Sequence, residues 1–223
     1  LGGIGFIGMA VAILPLLRIG GMRLFQTESS DRSEKVMPRS HMVAKFIVLA
    51  YVGMTAMGSV AFWAAGMSMF DAINHAMSAI STGGFSTSDL SLAKWPEPAV
   101  HWVAIVMMIL GSLPFTLYVA TLRGHRGALF KDEQVRGLLG LLLATWLVMT
   151  LWYWWTTDLP WYDALRHVAL NVTSVLTTTG FALGDYSLWG NFALMFFFYL
   201  GFIGGCSGST AAMPRRTPRT SKP

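Results

Sequence analysis

Four long stretches of this chain, residues 46–70, 98–122, 137–157 and 186–214, contain no Asp, Glu, Lys or Arg. Each is long enough to cross a hydrocarbon layer about 30 Å thick, which takes roughly 20 helical residues. A shorter charge-free run occupies residues 1–17. Charges this segregated cannot cover a water-facing core. Of 223 residues, 54% are hydrophobic and 12% charged, against about 25% charged in soluble domains. The pattern predicts an all-α polytopic membrane chain. It excludes a disordered chain, a cytosolic enzyme and a secreted disulfide scaffold, which a single Cys206 could not staple. The opening run has no basic residues ahead of it and no small-residue cleavage site after it, so the expectation is a fragment that begins inside a helix, not a signal peptide.

Orientation follows from the bases. Fourteen of the 16 Lys and Arg residues lie at 18–45, 123–136 and 215–222, and only Lys94 and Arg166 lie in the alternate segments. That asymmetry places the first group in the cytoplasm. The outer segments, 71–97 and 158–185, carry Asp71, Asp89, Glu97, Asp158, Asp163 and Asp185 against those two bases, six acids minus two bases, or −4. A negative outer mouth concentrates cations. The net charge of +5 is accounted for by topology, so no nucleic-acid partner is expected.

Two outer stretches, AINHAMSAISTGGFSTS and HVALNVTSVLTTTGFALG, are charge-free, yet too short and too rich in Ser, Thr and Gly to cross. An apolar helical approach breaking into Thr and Gly predicts a re-entrant half-helix, over about 70–80 and 162–176, with an irregular return. Irregular backbone at membrane depth is tolerated only where it is buried in protein or lines water. The stretches repeat one another: Gly84–Leu92 superposes on Gly180–Leu188 with five of nine positions identical, an offset of 180 − 84 = 96. Leu-Gly pairs at 1–2, 110–111 and 200–201 echo the same unit. The expected architecture is therefore helix, re-entrant pore loop, helix, repeated. Such loops can replace an ion's hydration shell with oxygens. Gly83, Gly84 and Gly180 are expected to supply the backbone freedom, and Thr82, Thr178 and Thr179 uncharged hydroxyl ligands. The half-helices would aim their negative C-terminal ends at the ion path.

These residues resemble the Trk/Ktr/HKT superfamily of potassium transporters, most closely the bacterial Trk-type uptake membrane subunit. The matching motifs are LGGIGFIGMAVAILPLL at 1–17, Ser81-Thr82-Gly83-Gly84-Phe85, Thr177-Thr178-Thr179-Gly180-Phe181 and GFIGGCSGST at 201–210. The resemblance implies a fragment of a four-repeat cation-channel-like pore: 1–17 closing a first repeat, a cytoplasmic connection over 18–45, a second repeat over 46–122, a second connection over 123–136, a third repeat over 137–213 and a basic, atypical tail over 214–223. It implies selectivity-filter sites at Thr82, Gly83, Gly84, Phe85, Thr178, Thr179, Gly180 and Phe181, and a gate below them at Gly204, Gly205, Ser207 and Gly208. It further implies potassium, or in some members sodium, as transported ion, no bound cofactor, a homodimer, a cytosolic nucleotide-binding regulatory subunit and residence in the bilayer of the bacterial inner membrane. A first filter and a fourth repeat are not among the matched motifs, and the sequence after Ala211 departs from the family's pattern, so a truncation or a shifted frame is expected there.

Rival readings were open at several points. Gly3-Ile4-Gly5-Phe6-Ile7-Gly8 has dinucleotide-fingerprint spacing but neither the preceding strand nor the βαβ context. Gly201 and Gly205 fit close helix packing as well as a gate. His75 and His167 lack the companions of a metal site and read as structural histidines. Asp89 and Asp185 fit a mouth field or loop cap better than direct ion ligation. Asn171-Val172-Thr173 has glycosylation spacing but falls inside a half-helix. Trp152, Trp154, Trp155 and Trp161 read as an interfacial belt. No arrangement suggests an enzyme. The alternative to a transporter is a polytopic scaffold or assembly subunit without a conducting pore.

Overall fold

The computed structural model describes residues 40–122 and 131–203. The expected helix over 1–17, most of the 18–45 connection, the gate residues Gly204, Gly205, Ser207 and Gly208, and the tail lie outside the described residues.

Among the described residues there are seven α-helices, two short 3₁₀ turns and no strand. Helix α1 covers Ser40–Ala64 and α2 Met69–Ile80, followed by a loop and a 3₁₀ turn at Ser91–Lys94. Helix α3 covers Pro98–Gly111 and α4 Phe115–Leu122. The second unit repeats the order, with α5 over Glu133–Thr156, α6 over Trp161–Leu176, a loop, a 3₁₀ turn at Tyr186–Trp189 and α7 over Asn191–Gly201.

Only α1, from Lys45, and α5 are long and apolar enough to cross a membrane among the described residues. At 25 and 24 residues they rise about 36–38 Å. Helices α2 and α6, with 12 and 16 residues, rise only about 18 and 24 Å. Their starts are written in the sequence. Ser68 caps α2 by accepting from the Asp71 N–H at 3.1 Å, Asp132 caps α5 by accepting from Gln134 N and Val135 N, and Pro98 opens α3, where its missing N–H costs nothing.

The expectation of one continuous span over 98–122 is corrected. The helix stops at Gly111 and resumes at Phe115, because Pro114 has no N–H to donate and disfavours helix in the residue before it. The break is internally satisfied. The Ser112 hydroxyl donates to Ile109 O at 2.7 Å and the Tyr118 hydroxyl reaches back from α4 to Leu110 O at 2.6 Å, so the carbonyls freed by the break keep partners. Helix α7 likewise stops at its Leu200-Gly201 pair. The expected span over 186–214 therefore begins in a 3₁₀ turn and shows 11 helical residues before the described region ends.

Each short helix packs on the long helix ahead of it, α2 on α1 and α6 on α5. The units join where α3 packs against α6. One apolar core surrounds α2 and takes in Ala169, Leu170, Phe181 and Leu183 from the second unit. A second surrounds α6 and takes in Leu113 from the first. Gly111 lets the end of α3 lie directly on the end of α2: a Cβ there would meet Ile80 O at 2.9 Å and Ala79 O at 3.0 Å.

Candidate functional site: two loops meeting at their glycines

Helices α2 and α6 end in the same way. Ser81 and Thr177 are the C-caps. Past them Thr82 N–H donates to Ala79 O and Gly83 N–H to Ser78 O, and Thr178 N–H donates to Val175 O and Thr179 N–H to Ser174 O. This is the paired 5→2 and 6→1 bonding of a Schellman cap. Such a cap puts one residue in the left-handed region, normally glycine. Here it is Thr82 at φ 48° and Thr178 at φ 55°. A β-branched residue there is a true outlier costing about 1–3 kcal/mol, kept only where the surroundings enforce it.

This finding corrects one expectation. Gly83 is not among the positive-φ residues, and the residue 96 positions on is Thr179. The backbone freedom is needed one position to either side, at the two threonines and at Gly84 and Gly180, with φ 66° and 94°. At Gly84 and Gly180 the two loops touch. A Cβ on Gly84 would run into Thr179 O and sit 2.9 Å from the carbonyl carbon of Gly180 and 3.0 Å from its Cα.

The hydroxyls are oriented. Thr82 Oγ1 donates to Ser81 O at 2.8 Å. Thr177 Oγ1 donates to Thr173 O at 2.7 Å, so in its 2.8 Å contact with Thr179 Oγ1 it must accept. The protons of Thr82 and Thr179 thus point into protein, which turns their oxygen lone pairs away from those bonds. The negative ends of α2 and α6 lie at the same loops.

The two phenylalanines part company. Phe181 is 1% exposed and stacks on the His75 ring, centroids 5.7 Å apart at 21°, whereas Phe85 is 81% exposed. Neither side chain supplies an oxygen, so only the backbones at these positions can be ligands. Further bonds tie the loops across the units: Leu92 N–H donates to Ala182 O at 3.2 Å and Ala182 N–H to Ser91 Oγ at 3.1 Å.

The rim of the two loops is acidic and hydroxyl-rich. Asp71, in the first turn of α2, accepts from Thr87 Oγ1 at 2.6 Å and from Ser68 Oγ at 2.7 Å, and these bonds hold its carboxyl below the ordinary aspartate range. Asp185 caps its 3₁₀ turn by accepting from Ser187 Oγ and N–H, with the same consequence. That is the loop-cap role expected for it. Arg166 is paired to Asp163 at 2.7 Å. Among the described residues no cluster of three or more His, Cys, Asp or Glu could hold a metal ion.

The sequence marked Asn171 only as part of a glycosylation triplet, not as a structural residue of the loop. It is completely buried, with Nδ2 donating to Leu183 O and its Oδ1 accepting from Leu183 N–H. The available signal was the 96-residue offset, which places it opposite His75 (171 − 75 = 96).

With this geometry in view, the comparisons decide the family. The profile of the TrkH family, described as "Cation transport protein", matches residues 1–218. The chain belongs to the TrkH family. It is 51% identical over 212 residues to the Trk system potassium uptake protein TrkI of Halomonas elongata, and 35% identical over 213 residues to that organism's TrkH. The structure of the potassium transporter TrkH from Vibrio parahaemolyticus superposes with a TM-score of 0.78 at 34% identity. That match covers 94% of this chain and 42% of the Vibrio chain, and the TrkI match covers 95% and 43%. The chain thus spans less than half the length of the TrkH-family relatives it matches.

Proposed function

We propose that this chain forms two of the pore-lining repeats of a potassium transporter, with the loops at 82–85 and 178–181 contributing to its selectivity filter. The observation that carries the reading is the shared, strained geometry: Thr82 and Thr178 held left-handed at equivalent positions, beside glycines whose backbones touch, with the hydroxyl protons of Thr82 and Thr179 turned into protein. Backbone and hydroxyl oxygens without formal charge suit a monovalent ion that must bind and also leave. Helices α2 and α6 enter the membrane without crossing it, α1 and α5 cross, and the loops face the acidic outer mouth.

The bases at 18–45 and 123–136 place those connections in the cytoplasm, and Trp154, Trp155 and Trp161, all exposed, sit in the outer interface. The relatives' names, Trk system potassium uptake proteins, support potassium as the ion. Gating at 204–210, assembly as a homodimer in the bacterial inner membrane and control by a cytosolic nucleotide-binding subunit complete the proposal.

The test is a chimera in which this chain replaces the 212-residue matching segment of the Halomonas TrkI, expressed in cells without their own potassium uptake. The chimera should restore growth on limiting potassium and take up rubidium. Gly84→Ser and Gly180→Ser should abolish uptake or admit sodium. Equal growth, uptake and ion preference in chimera and variants at equal membrane abundance would sink the filter reading and leave a scaffold.

A further inference from the structure

His75 and Asn171 occupy the same place in the two units, and both are completely buried. Each bonds first to its own helix one turn back. His75 Nδ1 lies 2.8 Å from Asp71 O, and Asn171 Nδ2 lies 3.1 Å from His167 O. Each then reaches over the loop to the limb that returns from it. His75 Nε2 lies 2.9 Å from Ser86 Oγ. Asn171 holds both backbone groups of Leu183, at 3.2 and 3.1 Å.

The proton positions follow from the partners. A carbonyl only accepts, so His75 Nδ1 carries the proton and Nε2 accepts from the Ser86 hydroxyl. Ser86 Oγ in turn accepts from Ser88 N–H at 3.2 Å. In the second unit the acceptor for Leu183 N–H must be the amide oxygen, which leaves the NH₂ for the two carbonyls. Both chains of bonds therefore end on a backbone N–H of the return limb. One runs through imidazole and hydroxyl, the other through an amide directly.

His75 also touches the opposite loop through Phe181 on its face, while Trp95 of its own unit packs at its edge, 4.8 Å away at 80°. A rigid ring bonded at both nitrogens and stacked on the neighbouring unit fixes the first loop relative to the second. Nothing in simple packing calls for two different polar side chains, each fully bonded, at equivalent buried sites. An apolar residue at 171 would leave both Leu183 backbone groups short of a partner, and one at 75 would leave the Ser86 hydroxyl without its acceptor.

We propose that His75 and Asn171 are matched positioning residues that tie the return limb of each loop to its approach helix and so set the spacing of the oxygen ligands for a monovalent cation. The proposal rests on the filter reading above. Neither side chain touches the ion; both act through the backbone they hold.

The chimera allows a test in which the readout is the ratio of rubidium to sodium uptake, which does not depend on how much protein reaches the membrane. His75→Phe keeps a stacked ring and removes both bonds, Asn171→Leu keeps the volume and removes all three, and Ser86→Ala cuts the His75 link at the limb. Each should lower the ratio about threefold to tenfold, the worth of one or two hydrogen bonds. His75→Gln, whose amide reaches the position of Nε2, should stay near the parental ratio.

Ser86→Ala is benign for folding, since the equivalent residue is already Ala182, and it decides the matter if the core variants do not accumulate. Parental ratios in Ser86→Ala and in whichever of His75→Phe and Asn171→Leu accumulate, alongside an altered ratio in Gly180→Ala, would overturn the positioning role alone. A parental ratio in Gly180→Ala as well would instead overturn the filter reading on which it depends.

Discussion

Replacing Gly84 and Gly180 by alanine, one at a time, separates two costs that glycine can hide. Both residues have left-handed φ angles, 66° and 94°, so a Cβ at either costs about 1–3 kcal/mol in backbone strain. Their surroundings differ. A Cβ on Gly180 meets only Gly84 Cα, at 3.9 Å, which is ordinary contact. A Cβ on Gly84 is driven into Thr179 O and the Gly180 backbone. No flexible side chain can yield there, so a further overpacking cost of about 1–3 kcal/mol applies at Gly84 only. The expected totals are about 2–6 kcal/mol at Gly84 and about 1–3 at Gly180. The assay is the apparent melting temperature of the detergent-purified chimera by fluorescence size-exclusion, with rubidium uptake on the same preparations. Gly84→Ala should melt well below Gly180→Ala and lose more uptake. Equal melting, or the reverse order, would refute the claim that the two loops meet backbone to backbone at these residues.

Three further outcomes are expected. Thr178→Gly relieves the left-handed strain at its Schellman cap and should raise stability by about 1 kcal/mol, while removing a hydroxyl and lowering the rubidium-to-sodium uptake ratio; a melting temperature below the parent's would contradict it. Phe181→Ala empties a fully buried ring site against His75 and should destabilise by about 3–5 kcal/mol in the same melting assay. Thr87→Val removes the strongest of the bonds that depress the Asp71 carboxyl. A group whose folded pKa is lowered contributes stability that is complete above its ordinary range and is lost as pH falls through the lower folded value. The variant's melting temperature should therefore lie below the parent's above the ordinary aspartate range and fall less on acidification, the two curves converging at low pH, and curves that stay superimposable throughout would show that the bond does not matter.

Much of the fold was legible because charge and periodicity are local. The starts of α2 and α5 follow from Ser68 and Asp132, and the short helices fall within a residue of the expected 70–80 and 162–176 because the change to Thr and Gly that ends them is explicit. The break at Pro114 was equally written but was overridden by the absence of charge around it. Gly83 misled because TGG reads as flexible by composition, and only comparison with Thr179 showed that no glycine is required there.

The sequence by itself determined which segments avoid water, where the two short helices α2 and α6 lie and that two segments share one design at an offset of 96 residues. Burial cost and capping chemistry act over a few residues, so they can be read along the chain. Tertiary structure alone decided that Phe181 is buried while Phe85 is exposed, that Gly84 and Gly180 are in contact, and that His75 and Asn171 hold the return limbs. Those facts depend on how one unit sits against the next, and packing between residues some ninety positions apart leaves no periodic trace in either segment.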